Sequence, residues 1–363
     1  MTEGRKQHYV PRYYFRLFIG NDIVNVYDLK NKRFYKGSCN DLCAENYFYS
    51  RDTEIEKIFS PLERKLREVL KKIIDSQSIG GLTGEEYYLL CFFLVFQNVR
   101  TAKVKKDSED YINLIFKNMS KSLLEKNIGK FPWLTKEYVD THEMPTISGP
   151  THLMTLWKSM STGPLLISDL TPLILVNKTG QDLIFSDSPV VFYNGFFNDK
   201  NGEGSVAQTS PGLQIFCPLN TKTILILYDP KFYRFGNMQG NVVEISSEED
   251  VISLNALQFF NCKECVFFVD EAQSEAISIL HSSLEDRIKD DYYEIENYVI
   301  PGAPTGFDRE FILTGKRDID YNLSLSFMTF NSDAGAVGPF RDDNLVQKAM
   351  AIDDEIMKIF KIK

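Results

Sequence analysis

The sequence predicts an α+β fold, in which a helical N-terminal half packs against a mixed or antiparallel sheet in the C-terminal half. Two observations carry this prediction. Apolar residues recur at helical spacing between about 53 and 124, whereas short strand-like runs separated by turn residues dominate 165–268. Helical and strand-like patterns that are segregated along one chain are typical of the α+β class.

The first half opens with a dense aromatic and basic segment, 5–19, in which Pro11 is expected near the start of a short helix. Residues 23–27 and 33–36 flank a turn and predict a hairpin. Capping boxes at Thr53–Glu56 and Thr83–Glu86 each predict a helix start, and the second helix is expected to reach about Lys105. A third helix is expected over 111–124, followed by a loop over 128–149 and a short helix over 151–161.

The second half alternates short apolar runs with turns. Its predicted strands are 173–177, 182–186, 190–193, 214–218, 223–228 and 266–269. Helices are predicted over 246–260, with Ser246 or Ser247 as the N-cap, and over 271–288. The tail from Pro301 is expected to be irregular apart from a terminal helix over 342–362.

Chain length and composition constrain the organisation. A length of 363 residues predicts more than one packed unit, and we divide the chain into 1–145, 146–300 and a C-terminal extension, 301–363. Hydrophobic residues at 43% and charged residues at 25% exclude a disordered, collagen-like or coiled-coil chain. The net charge of −9 disfavours generic binding to nucleic acid or to an anionic membrane, although a local basic groove remains compatible with it.

Several features predict a soluble protein of the reducing cytoplasm. No apolar stretch reaches the roughly 18 residues of a membrane span, and the polar N-terminus lacks a signal-peptide pattern. Six cysteines are too few for a disulfide scaffold. Cys262 and Cys265 have the spacing of half a zinc site, and Cys39 and Cys43 could form the other half, but nothing in the sequence brings the pairs together. We therefore expect no structural zinc.

The most specific local feature is the opening motif, which places His8 close to Arg12 and Arg16 among large aromatic rings. Arginine gives bidentate contacts to phosphate or carboxylate, and histidine exchanges a proton near neutral pH. The cluster could therefore bind an anion. Alternatively, His8 hydrogen-bonds the following turn while the rings pack on the helices.

A second candidate lies at a strand end, where Asp187 precedes Pro189 and Asn194 follows. A carboxylate here could support a metal ion or orient a histidine. The alternative is an Asp-Ser-Pro turn that bonds its own backbone. Arg100 ends an apolar helix and could bind a buried anion or pair with Asp187, and we favour the pairing.

The segment QHYVPRYYFRLF resembles the hallmark of a bacterial family known as domain of unknown function 4238. The resemblance extends, in order, over about 7–270, through NVYDLKNKRFY, AENYFY, an Arg100-Thr101 pair, FSDSPV at 185–190 and Pro218-Leu219. Phe15 stands where the family usually has leucine, and the chain continues well beyond about 300. The resemblance implies a shared fold but no established function. By association it suggests bacterial conflict systems such as phage defence.

These observations lead to two functional hypotheses. In the first, the chain hydrolyses a phosphodiester or nucleotide bond: His8 acts as general base or metal ligand, Asp187 orients it or is a second ligand, and Arg12 or Arg100 stabilises charge on phosphate. Arg16 and Asn194 would complete the binding site. The cofactor is then unknown, and a divalent metal ion is the candidate. The expected partners are a nucleotide or nucleic acid, and another protein or a second copy of the chain. We expect no membrane partner. In the second hypothesis, the same residues are structural in a non-catalytic binding or sensor module.

Overall fold

A computed structural model gives the architecture of most of the chain. It describes residues 6–51, 54–144, 146, 151–197, 206–288, 293–299, 310–316, 319–331 and 338–360. For 54–56, 293–299, 310–316, 357, 359 and 360, the backbone alone is described.

The helices lie mostly in the N-terminal half and the sheets mostly in the C-terminal half, which confirms the α+β class. The helices are α1 Arg12–Ile19, α2 Glu54–Ser76, α3 Gly84–Val99, α4 Ala102–Glu125, α5 Lys136–Thr141, α6 Thr151–Leu166, α7 Glu248–Asn261, α8 Ser274–Leu284 and α9 Asp343–Phe360. The strands are β1 Lys6–His8, β2 Ile23–Asp28, β3 Arg33–Ser38, β4 Ala44–Asn46, β5 Thr171–Asn177, β6 Phe185–Ser186, β7 Val191–Tyr193, β8 Gln214–Asn220, β9 Thr223–Tyr228, β10 Tyr233–Phe235, β11 Val242–Ile245, β12 Cys265–Phe268, β13 Tyr293–Val299, β14 Glu310–Lys316 and β15 Met328–Phe330.

The central sheet has five strands in the order β11-β5-β9-β8-β7, and only the β11–β5 pair is parallel. Side chains alternate between its two faces, as the two-residue period of a strand requires. Ile174 and Val176 face a core that includes residues of α1 to α4, whereas Leu173 and Leu175 face a second core with α7 and the segment 323–327. The sheet is therefore covered on both faces.

A second, four-stranded sheet has the order β3-β2-β12-β6 and is antiparallel throughout. Helix α1 joins it to the central sheet. Phe15 and Phe18 pack on Phe185 of β6, with ring centroids 5.1 and 4.5 Å apart. On the same helix, the hydroxyl of Tyr14 donates to the carbonyl of Pro218 in β8. The opening motif thus lies at the junction of the two sheets.

Local capping signals explain where several helices begin. The predicted box before α3 is present, because Thr83 Oγ1 accepts from Glu86 N (3.2 Å) and Glu86 accepts from Thr83 N (2.7 Å). Ser247 caps α7, as predicted. The box predicted at Thr53 lies outside the described residues.

Three expectations about the elements were wrong. Helix α3 ends at Val99 rather than near Lys105, because Thr101 caps a new helix by accepting from Val104 N. The predicted loop over 128–149 contains α5. The tail is not wholly irregular before its terminal helix, because β14 pairs with β13, and β15 pairs with β10.

Candidate functional site

Gln7 anchors the opening motif. Strand β1 pairs with β4, which places Gln7 opposite Glu45 and His8 opposite Ala44. The fully buried side chain of Gln7 accepts from the backbone N–H groups of Tyr49 (2.7 Å) and Ser50 (3.3 Å) and donates to the Ser50 carbonyl (2.9 Å). These bonds hold the motif against the chain that follows β4.

Arg100 binds the backbone of the same motif. Its Nη2 donates to the carbonyl oxygen of His8 (2.7 Å), its Nε to the hydroxyl of Tyr49 (2.9 Å), and its Nη1 to Glu63 (2.7 Å). The guanidinium lies 4.4 Å from the ring centroid of Phe96. Burial opposes its charge, but Tyr49 and Glu63 outweigh burial and raise the pKa of Arg100 above its usual value.

The expected ion pair between Arg100 and Asp187 is therefore replaced by one with Glu63. The side chain of Arg100 is only 3% exposed, and its three nitrogen atoms are all engaged by the protein. A guanidinium held in this way joins α2, α3 and β1 rather than facing a ligand.

The imidazole of His8 is half-buried. Burial and, to a smaller extent, the charge of Arg12 lower the pKa of His8 to about 4, although a hydrogen bond to the Asn40 backbone acts in the opposite direction. The ring is consequently neutral at pH 7. Its Nε2 is buried and has no hydrogen-bond partner among the described residues.

Arg12 and Arg16 are exposed and are one helical turn apart. Each has its own acceptor: Arg12 donates to the side chain of Asn40 (3.2 Å), and Arg16 pairs with Asp22 (2.6 Å). Of the two, Arg12 is the one whose charge acts on His8.

Asp187 is almost completely buried, with 2% of its surface exposed. Its carboxylate accepts from the backbone N–H groups of Lys263 (2.8 Å), Glu264 (2.7 Å) and Cys265 (3.3 Å). Burial raises the pKa of Asp187, and these three hydrogen bonds oppose the increase. The side chain thereby fixes the turn between α7 and β12, and among the described residues no hydrogen bond or ion pair joins it to His8.

Three thiols are close enough to Asp187 for its charge to act on them. Burial, and then Asp187, raise the pKa of Cys43 and Cys262 well above the usual value, and that of Cys265 to about 12. These thiols stay protonated near pH 7 and are poor metal ligands in that form. Within the described part of the chain, no group of three or more His, Cys, Asp or Glu residues is arranged to hold a metal ion.

Asn194 lies at the end of β7, in a different part of the fold. Its Nδ2 donates to the carbonyl of Pro211 (2.8 Å), and its Oδ1 accepts from the hydroxyl of Tyr233 (3.4 Å). A Cβ atom on Gly212, which has φ +75°, would lie 2.8 Å from Asn194 Oδ1. The amide therefore packs tightly against a turn that needs glycine.

A row of buried amides on α7 was not singled out from the sequence. Asn255 and Gln258 donate to or accept from backbone groups of 182–189, and Asn261 donates to the carbonyls of Ser188 (2.6 Å) and Val190 (3.0 Å). Polar residues recurring every three positions within an apolar helix are the signal that could have identified this row. The row holds the segment carrying Asp187 in place.

One cavity has a volume of about 240 Å³. It is lined by Asp169, Pro211, Asp229, Pro230, Lys231, Phe232, Gly338, Phe340, Arg341 and Asp342. Arg341 pairs with Asp169 (2.6 Å) and also donates to three backbone carbonyls, so its guanidinium is engaged by the protein. None of the six predicted site residues lines this cavity.

The fold and the motif define an α+β protein that is organised around a buried N-terminal segment. Comparison with known families identifies it further: the chain belongs to the family described as Protein of unknown function (DUF4238), which matches residues 6–272. This confirms the resemblance drawn from the opening motif. No curated protein and no solved structure matches the chain.

Proposed function

We propose that this chain is a non-catalytic binding or sensor module, in which the residues considered for catalysis are structural. The observation that carries the proposal is that the backbone engages both carboxylate oxygens of the buried Asp187. Its two carboxylate oxygens accept three backbone N–H groups of its own chain, and only 2% of the residue is exposed. A carboxylate that orients a histidine or binds a metal needs an oxygen directed at that partner.

Arg100 and His8 support the same proposal. The buried guanidinium of Arg100 is shared among Glu63, Tyr49 and the His8 carbonyl, which leaves no N–H fork for a phosphate. A histidine with a pKa of about 4 is a weak general base, because the best catalytic pKa lies near the working pH.

The test compares stability with activity in Asp187→Asn. We expect the variant to be destabilised by roughly 1–3 kcal/mol in chemical denaturation, because the amide cannot accept from all three N–H groups. Neither variant nor wild type should hydrolyse a panel of phosphodiester and nucleotide substrates, with and without Mg²⁺ or Mn²⁺. A wild-type activity that Asp187→Asn abolishes without a loss of stability would contradict the proposal.

One observation favours the second candidate, hydrolysis of a phosphodiester or nucleotide bond in a setting such as phage defence. The Nε2 atom of His8 has no partner among the described residues, and the charge of Arg12 acts on the ring. This nitrogen could act as the base or hold a divalent metal ion, while Arg12 would stabilise charge on the phosphate.

His8→Ala separates the two candidates. The hydrolase hypothesis requires loss of substrate cleavage, or of protection against phage in cells, with stability within about 1 kcal/mol of wild type. Destabilisation by several kcal/mol instead identifies a structural histidine. Lys71→Ala on α2 is the matched control, because its exposed side chain likewise pairs with a neighbouring acid, Asp75, and lies outside every candidate site.

The proposed location is the cytoplasm, and the proposal rests on six cysteines whose thiols are all free. No helix of the described residues is both long and apolar enough to cross a bilayer. The two candidate functions propose different binding partners: a nucleotide, a nucleic acid, another protein or a second copy of the chain. Each partner can be tested for binding to the purified full chain.

A further inference from the structure

The segment 117–136, which we call the tip segment, combines exposed apolar side chains with positive charge. It comprises the end of α4, the following turn and the first residue of α5. Its exposed apolar residues are Met119, Leu123, Ile128, Phe131 and Trp133, with exposed fractions from 40% to 65%. Monomeric proteins seldom expose large side chains in such a group unless the group binds something.

The turn that carries the aromatic rings is well defined. Gly129 adopts φ +83°, and its N–H donates to the carbonyl of Leu134 (3.3 Å), which closes the turn. Leu134 is buried and anchors the turn, whereas Phe131 and Trp133 stack on each other in the solvent, with ring centroids 5.8 Å apart. The rings are therefore exposed although a hydrogen bond closes the backbone beneath them.

The tip segment holds five lysines and one acidic residue, Glu125, in a chain whose net charge is −9. Lys121 lies 3.8 Å from Asp140 of α5. The other four lysines, at 117, 126, 130 and 136, have no acidic partner within the described part of the chain. The net charge of the tip segment itself is +4 and thus opposite in sign to that of the whole protein, and the acids of α5 neutralise it only in part, since Asp140 pairs with a single lysine.

We propose that the tip segment docks the protein on an anionic phospholipid surface. Phe131 and Trp133 would enter the interface between headgroups and acyl chains, as would the exposed Met119, Leu123 and Ile128 of the same segment, while the lysines contact lipid phosphates. Tryptophan is well suited to this depth, because its ring is amphipathic. The binding is peripheral, since no described helix can span a bilayer.

Charge and side-chain chemistry favour this partner over two others. A second copy of the chain would place lysines of both copies against each other across a two-fold interface. Single-stranded nucleic acid would satisfy the lysines and stack on the rings, but Met119, Leu123 and Ile128 would gain nothing from stacking. A lipid surface uses the aliphatic, aromatic and basic groups together.

The net charge of the whole chain led to the expectation that a membrane is no partner, but the local charge of the tip segment favours one. Electrostatic attraction to a surface depends on the charges within about 10 Å of it, because salt screens those farther away. The tip segment can therefore be attracted to an anionic surface although the protein as a whole is acidic.

Vesicle co-sedimentation of the full chain tests the proposal. We expect binding to vesicles of equal parts phosphatidylcholine and phosphatidylglycerol, and none to phosphatidylcholine alone. Lys126→Glu with Lys130→Glu should weaken binding by roughly 30-fold or more, and Phe131→Ser with Trp133→Ser should abolish it. The matched control, Lys65→Glu with Arg67→Glu, makes the same charge change on exposed positions of α2 and should bind as wild type.

Fluorescence locates the contact. The chain has two tryptophans, so Trp157→Phe leaves Trp133 as the only reporter. We expect its emission to shift to shorter wavelength with the anionic vesicles, because the ring leaves water. The proposal is overturned if anionic vesicles do not bind, if tip and control variants bind alike, or if the tip variants alter only the oligomeric state or the affinity for single-stranded DNA. Thermal unfolding of each variant shows whether it is folded.

Discussion

The surroundings of Arg100 and the tip segment contain the same kinds of residue in opposite states. Arg100 lies 4.4 Å from the ring centroid of Phe96, is paired with Glu63 and is 3% exposed. Lys130, Phe131 and Trp133 put cationic and aromatic groups together in the solvent, and the lysine has no acidic partner among the residues that the structure describes. A cation and a ring are thus structural where the protein pairs the cation and buries the ring. They are available for binding where the protein does neither. Residue type alone does not distinguish the two cases.

The largest effect is expected at Arg100, the buried and paired cation. Arg100→Ala should lower the free energy of unfolding by about 3–5 kcal/mol, because it leaves Glu63 and the His8 carbonyl without their buried partner. Arg16→Ala, which breaks an exposed ion pair, should produce no measurable change. Chemical denaturation of both variants provides the measurement, and equal losses would show that burial does not separate them.

A leucine pair extends the comparison to apolar groups. Leu66 of α2 is fully buried, and Leu66→Ala should cost about 2–5 kcal/mol. Leu123 of the tip segment is 65% exposed, and Leu123→Ala should change stability by no more than about 0.5 kcal/mol. A cost at Leu123 close to that at Leu66 would mean that the tip segment is part of a core.

Burial of histidine makes the stability of the protein depend on pH. Burial lowers the pKa of His152, whose Nε2 contacts the Val99 carbonyl at 2.9 Å, from 6.5 to about 4. Between these values the unfolded chain binds a proton that the folded chain does not, so stability falls as pH decreases from 6.5 towards 4. His152→Gln can keep the bond to Val99, and it should reduce this loss of stability between pH 6.5 and pH 4 by roughly 1–3 kcal/mol. Chemical denaturation across this pH range provides the measurement. An unchanged profile would show that His152 is protonated in the folded protein.

The smallest effect is expected at the tip. Phe131→Ala should change the free energy of unfolding by no more than about 0.5 kcal/mol, because half of the side chain is already in water. Thermal unfolding provides the measurement. A marked loss of stability would show that the stacked ring supports the turn and would remove the contrast with Arg100.

Signals within a few residues predicted much of the fold correctly. The turn between β2 and β3, the capping box of Thr83 and the N-cap of α7 at Ser247 depend on neighbours in sequence, and each is present. The end of α3 was misplaced because the helical apolar pattern continues through Arg100 and Thr101. There Thr101 Oγ1 accepts from Val104 N and caps a new helix, without any change in hydrophobic spacing.

The sequence by itself determined the α+β class, the family and the importance of the opening motif, because each depends on local pattern. The partners of its charged residues were decided only by the tertiary structure. Arg100 finds Glu63, 37 positions away, and Asp187 finds the amides of Lys263 and Glu264, 76 and 77 positions away. Whether a charge is buried and satisfied depends on which distant segments the fold places around it, and no spacing rule along the chain contains that information.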